Sequence, residues 1–144
     1  MYNSIVVGTD GSATARAAVT RAARLAKAFD ARLLIVSAYR QPTSSMMNAL
    51  STPTPAPHEG AVRDEVEAML KRLAGELSHD VANIETFAYP GNPAQAILEI
   101  AEAEKCDLIV LGNRGMKGVR RYLGSVPSNV AHQAPCSVLI VSTG

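Results

Sequence analysis

Asp107-Leu108-Ile109-Val110-Leu111-Gly112-Asn113-Arg114-Gly115-Met116-Lys117-Gly118-Val119-Arg120-Arg121-Tyr122-Leu123-Gly124-Ser125 changes character at its first glycine. The apolar run 107–111 reads as a buried parallel strand, and Ser125-Val126-Pro127-Ser128 reads as a helix start. Between them lie four glycines and four basic residues, with no acidic residue. Glycines let a backbone approach a ligand closely and turn its N–H groups inward. A helix N-terminus adds free N–H donors and the positive end of a dipole. The stretch therefore predicts an anion pocket between a strand and a helix, suited to the phosphates of a nucleotide.

Outward from it, the same alternation repeats. Ser4-Ile5-Val6-Val7-Gly8 is a short β-branched strand ending in the turn Thr9-Asp10-Gly11-Ser12. A helix over 13–29 comes next, capped by Ser12 or Thr14, with Val19, Ala22, Ala23, Ala26 and Phe29 at helical spacing. Residues 32–39 form a second apolar strand. Residues 40–57 hold four prolines and no usable periodicity; they read as a long mobile loop, either a lid or a surface excursion. Helical spacing resumes over 59–78, and 84–89 reads as a less apolar strand at a sheet edge. Pro90-Gly91-Asn92-Pro93 turns the chain, with Asn92 as N-cap and Pro93 at the first helical position. That helix runs to about 104; a short one over 125–133 and a last strand over 136–142 complete the series. Alternating apolar strands and amphipathic helices predict an α/β fold, a doubly wound parallel sheet covered on both faces. Such sheets bind ligands at the carboxyl ends of the strands, where the winding reverses. Strands one and four flanking that point would set Thr9-Asp10-Gly11-Ser12 opposite the Gly112 loop.

The 144 residues suit one domain, 1–144, that buries roughly 70% of the unfolded chain's surface. The net charge of +1 gives no global pull toward nucleic acid or a membrane surface. Aromatics are few and Trp is absent, which argues against base-stacking platforms. No apolar run reaches the length of a membrane span, and the chain starts directly on a strand pattern without a charged-then-apolar leader. A cytoplasmic location is expected. Cys106 and Cys136 fit neither a zinc site nor a redox pair and read as small core hydrophobes.

Neither the G-x-x-x-x-G-K-[ST] loop nor a G-x-G-x-x-G after the first strand is present, which removes the P-loop and the usual dinucleotide site. His58, His79 and His132 have no ligand spacing. Gly124-Ser125-Val126 is no nucleophile elbow, so Ser125 reads as a helix cap whose N–H holds an anion. Asp10 is the carboxylate placed for function: it could accept from ribose hydroxyls or hold Mg²⁺ beside phosphates, or it could be an Asx-turn residue that shapes the turn. Arg114 leans toward the pocket, while Lys117, Arg120 and Arg121 read as a solvated face.

Taken together, Ile5-Val6-Val7-Gly8-Thr9-Asp10-Gly11-Ser12, Pro90-Gly91-Asn92-Pro93, 107–115, Leu123-Gly124-Ser125-Val126 and Ala134-Pro135-Cys136-Ser137-Val138-Leu139-Ile140-Val141 resemble a universal stress protein domain over essentially the whole length. The resemblance implies a Rossmann-like, adenine nucleotide alpha hydrolase-like sheet of five parallel strands in the order 3-2-1-4-5. It also implies a homodimer through antiparallel pairing of the last strand, here Val138-Leu139-Ile140-Val141-Ser142. In the ATP-binding branch a motif G-2x-G-9x-G-[ST] cradles the phosphates. By that likeness Gly112, Gly115, Gly124 and Ser125 line the phosphate site, with Val126 at its entry, and Asn113, Arg114 and Pro127 are expected among the nucleotide-binding residues. Asp10 matches the acidic residue near ribose and metal, Thr9, Gly11 and Ser12 are expected among the nucleotide-binding residues, and Ala38 offers backbone groups to adenine. Here eight residues separate Gly115 from Gly124, one fewer than in that motif; one residue lost from a helical turn rotates the rest of the segment by roughly 100°.

The functions this leaves open are an ATP-binding stress or signalling protein that senses or stores nucleotide, a cyclic AMP binder of the same fold, a slow ATPase, and a dimeric interaction module with a vestigial pocket. A few charge-assisted hydrogen bonds at about 1.5–3 kcal/mol each and a buried adenine reach the ~8 kcal/mol of micromolar binding. No general base or nucleophile pair stands near the loop, so any hydrolysis is expected to be weak.

Overall fold

Ser4-Ile5-Val6-Val7-Gly8 forms the middle of a five-stranded sheet, as a run apolar on both faces requires. The structure, a computed structural model, describes residues 1–40, 59–113 and 126–142. The chain runs β1 (Ser4–Gly8), α1 (Ala13–Phe29), β2 (Arg32–Tyr39), α2 (Glu59–Leu77), β3 (Ile84–Pro90), α3 (Pro93–Ala103), β4 (Leu108–Gly112), α4 (Val126–Gln133) and β5 (Ser137–Val141). The strands pair in parallel in the order β3-β2-β1-β4-β5, which is the expected doubly wound sheet. The winding reverses between β1 and β4, whose register sets Val7 beside Val110.

Side chains on successive strand residues point to opposite faces. Ile5 and Val7 therefore join Leu33, Ile35 and Val110 under α1 and α2, where they meet Ala18, Val19, Ala22 and Leu70. Val6, Leu34, Val36, Ile109 and Leu111 face the other way, under Ala96 and Ile97 of α3 and Val130 of α4. Each fully buried branched side chain contributes about 1.5–3 kcal/mol, and this two-sided core carries the fold.

The helix starts reflect local chemistry. Of the two expected caps of α1, Ser12 takes the role, its Oγ accepting from the N–H of Ala15 at 3.1 Å. Asn92 caps α3, its Oδ1 accepting from Ala94 and Gln95 at 2.9 and 3.2 Å, with Pro93 opening the helix. Phe29, which its spacing placed on the apolar face of α1, ends 37% exposed. As the last residue of the helix it lies beside Tyr2, edge to face at 5.5 Å, rather than in the core.

The two ends of the sheet differ. At the amino ends of the strands, Asp107 accepts from the N–H groups of Asn3 and Ser4 at 2.9–3.1 Å. Arg32 donates to Ser4 Oγ at 2.7 Å, to Glu85 at 2.8 Å and to the Glu104 carboxylate at 3.2 Å, and it also reaches the Glu104 carbonyl. These bonds close that end. At the carboxyl ends the described residues leave a cleft.

Candidate functional site: a cleft at the carboxyl ends of the strands

Beyond Gly8 and Val36, the last β1–β2 pair, β1 turns away while β2 continues along β3 to Tyr39. The gap so created is a cleft that opens to solvent, at the place where doubly wound sheets bind their ligands. Its walls come from six elements and the turn after β1: Gly8 of β1, Thr9 and Asp10 of the turn, Ala15 of α1, Val36 and Ala38 of β2, Pro93 and Ile97 of α3, Leu111 and Gly112 of β4, and Val126 and Pro127 of α4. Most of this lining is apolar, with the start of α4 and the Thr9-Asp10 turn as its polar margin.

The β2 backbone bonds to its two sides in alternation. Arg32 donates its N–H to Asn3 and Val36 accepts from Thr9, so even-numbered residues present both backbone groups toward β1. Leu33 and Tyr39 bond on the β3 side. Ala38 therefore turns its N–H and C=O toward the side that β1 has left. One donor and one acceptor on a strand edge above an apolar floor match the edge of a planar heterocycle.

The turn after β1 is built by its own side chains. Thr9 Oγ1 accepts from the Gly11 N–H at 3.1 Å, and Asp10 Oδ1 accepts from Ser12 at 2.9 Å, an Asx turn. Gly11 has φ +82°, a left-handed conformation in which a side chain is strained. Asp10 is exposed at the cleft, with its other oxygen outside this bond.

Of the residues singled out from the sequence, Thr9, Asp10, Ala38, Gly112, Val126 and Pro127 meet in this cleft. Gly11 and Ser12 turn to the far side of the β1–α1 turn, where with Thr9 they line a second hollow closed by Arg16, Met69, Arg72 and Glu76. Asn113 continues β4, its N–H donating to Val141 at 2.9 Å. Arg114, Gly115, Gly124 and Ser125 lie outside the described residues, as do the shortened glycine motif between them and, beyond Arg40, the expected mobile loop over 40–57. Sequence reasoning missed Gly8, Ala15, Val36, Pro93, Ile97 and Leu111 as wall residues. They look like ordinary core or cap positions in the chain; the rule that ligands sit at carboxyl ends of strands is the signal that points to Val36 and Leu111. Cys106 and Cys136 take no part in the cleft and sit in or against the core, as expected.

Comparison with known proteins agrees with this architecture. A family model described as "Universal stress protein family" matches residues 1–142. A universal stress protein of Mycobacterium tuberculosis is 39% identical over 157 aligned positions, covering 99% of this chain and 97% of that protein. One from Thermus aquaticus is 36% identical, covering 98% and 99% of the two chains. Among solved structures, a universal stress protein in complex with cAMP is 34% identical, covers 99% of both chains and superimposes with a TM-score of 0.78. UspA from Lactobacillus plantarum is 27% identical over 97% of both chains, with a TM-score of 0.79.

Proposed function

The chain belongs to the universal stress protein family, and we propose that it is an adenine-nucleotide binding protein of stress response or signalling, with ATP as its ligand. The observation that carries this reading is the cleft itself. The backbone pair of Ala38 faces adenine between the apolar walls of Val36, Ile97 and Leu111, and the phosphates extend past Gly112 toward the start of α4. There the helix dipole favours negative charge. Residues Arg114, Gly115, Gly124 and Ser125 complete the phosphate contacts in this proposal, and Thr9 and Asp10 stand beside the ribose. The domain 1–144 acts as one unit, in the cytoplasm, as a sensor or store.

Mg²⁺ enters only with the phosphates. Among the described residues no three His, Cys, Asp or Glu side chains gather into a metal site. Asp10 offers one carboxylate, half occupied by Ser12. Mg²⁺ takes oxygen ligands and keeps several waters, so a phosphate-held ion with one protein contact fits this donor set. When bound, the ion would neutralise phosphate charge.

Cyclic AMP is the second reading, favoured by the 34% identical relative solved in complex with it. It uses the same base site, keeps a single phosphate and has less need of Mg²⁺. We also propose a homodimer through β5, an edge strand that pairs with β4 on one side and leaves Ile140 44% exposed.

Protein purified without denaturation, then denatured, should release an adenine nucleotide identifiable by mass spectrometry. Calorimetric titration should give micromolar affinity for ATP, with cyclic AMP and ADP titrated beside it, each with and without Mg²⁺. Tighter cyclic AMP binding, indifferent to Mg²⁺, selects the second reading. Binding of none of these overturns the proposal in favour of an interaction module, and multiple turnover of ATP assigns an enzyme.

A further inference from the structure

Gly8 ends β1 with a backbone that any residue could adopt; what makes it glycine is a neighbour. A Cβ built on Gly8 would lie 2.6 Å from Ile97 Cδ1, 3.3 Å from Ile97 Cγ1 and 3.4 Å from Leu111 Cδ2. The first distance is a clash, and the second is tighter than ordinary contact. The branched end of Ile97 thus occupies the space that a side chain at position 8 would fill. Both residues line the cleft, and Ile97 is otherwise buried, only 3% exposed, in the layer that includes Val36 and Leu111. The atom nearest that Cβ is the terminal δ-methyl of Ile97, so a side chain at position 8 is accommodated by a shift of that end of Ile97.

We propose that Gly8 and Ile97 are a size-matched pair that sets the depth of the nucleotide cleft, with Ile97 a positioning residue for the ligand's base. This rests on the nucleotide reading above and adds to it the residues that hold the cleft floor in place. A methyl group at position 8 would push the Ile97 δ-methyl into the volume the base occupies, or lift the first turn of α3 with Pro93. Removing that δ-methyl at the same time restores the carbon count at the contact. Volume-conserving exchanges of this kind are the best tolerated in packed cores.

The test is a double-mutant cycle, Gly8→Ala, Ile97→Val and Gly8→Ala/Ile97→Val, read by nucleotide titration and by thermal unfolding of the same samples. Gly8→Ala is expected to weaken ATP binding roughly five- to tenfold, and the double variant to return within about twofold of wild type, a strongly non-additive result. Isotope labelling of isoleucine δ-methyls gives a second readout. The Ile97 signal should move when nucleotide is added to the wild type and should already be displaced in Gly8→Ala without ligand. Equal affinity in wild type and all three variants overturns the pair's role while leaving nucleotide binding intact. Weakening in Gly8→Ala that Ile97→Val fails to rescue, or an Ile97 signal indifferent to bound nucleotide, overturns it as well. A wild-type protein that binds no adenine nucleotide removes the functional reading and the proposal together; the unfolding cycle then reports whether the steric match exists as a packing feature alone.

Discussion

The N–H of Thr9 donates to the carbonyl of Val36 at 2.9 Å, one residue past the final β1–β2 pair. That bond holds the mouth of the cleft. It fixes where β1 leaves the sheet, and so which backbone groups of β2 are left facing the gap, those of Ala38. The same turn then bonds to itself through Thr9 and Asp10 before α1 begins.

Asp10 separates charge from shape. Asp10→Asn keeps an oxygen that accepts from Ser12 but removes the negative charge. Affinity for ATP in Mg²⁺ is expected to fall roughly two- to fivefold, the range of a screened exposed charge, with cyclic AMP binding unchanged. Asp10→Ala loses the turn acceptor too and should lower the melting temperature by about 2–4 °C. Titrations of Asp10→Asn that match wild type with and without Mg²⁺ would leave Asp10 only its turn.

Arg32 stands at the opposite end of the sheet, joined to Ser4, Glu85 and Glu104. Arg32→Met retains most of the aliphatic stem while removing these bonds. Hydrogen bonds to charged groups contribute about 1.5–3 kcal/mol each, less where solvent reaches them, so a total loss of about 1–3 kcal/mol is expected. A urea titration should show a lower midpoint at unchanged slope. Nucleotide affinity should not change, because the network lies at the amino ends of the strands.

Cys106 makes stability depend on alkaline pH. Burial pushes its thiol from the ordinary 9.0 up to about 11, although the Arg32 guanidinium pulls the other way. Below the unfolded value both states hold the proton and stability is complete. Between about 9 and about 11 the unfolded chain loses the proton first, so stability falls with rising pH. Burial also raises Cys136, which adds in the same sense. Denaturant melts from about pH 8 to about pH 10.5 should show this decline, and Cys106→Ala should flatten much of it. An equal decline in Cys106→Ala would assign it to other groups.

Ile140 tests the proposed dimer. Ile140→Lys places a charge on the outward side of β5 without touching its bonds to β4. Light scattering should find a dimer for wild type and a monomer for the variant, with unchanged helix and strand signals. A monomeric wild type at tens of micromolar, far above an ordinary dimer constant, would remove this pairing.

The sequence by itself determined the strand and helix order, the burial of both sheet faces, the cap Asn92 and, for the first helix, a cap at Ser12 or Thr14. Each of these is written in local spacing: runs such as Ile5-Val6-Val7 apolar at every position, helices apolar every third or fourth, a capping side chain within three residues of the N–H it serves. The glycine-rich stretch after Leu111 and the turn at Asp10 were legible for the same reason. Only the tertiary structure decided which residues share the cleft. It took Gly11 and Ser12 away to a separate hollow and brought Val36, Pro93 and Ile97 in as walls. Those meetings depend on strand register and crossover packing between residues far apart in the chain, and no periodicity encodes them. Gly8 shows the difference most plainly. In the chain it is the end of a strand; in the fold it is the space that Ile97, 89 positions later, requires.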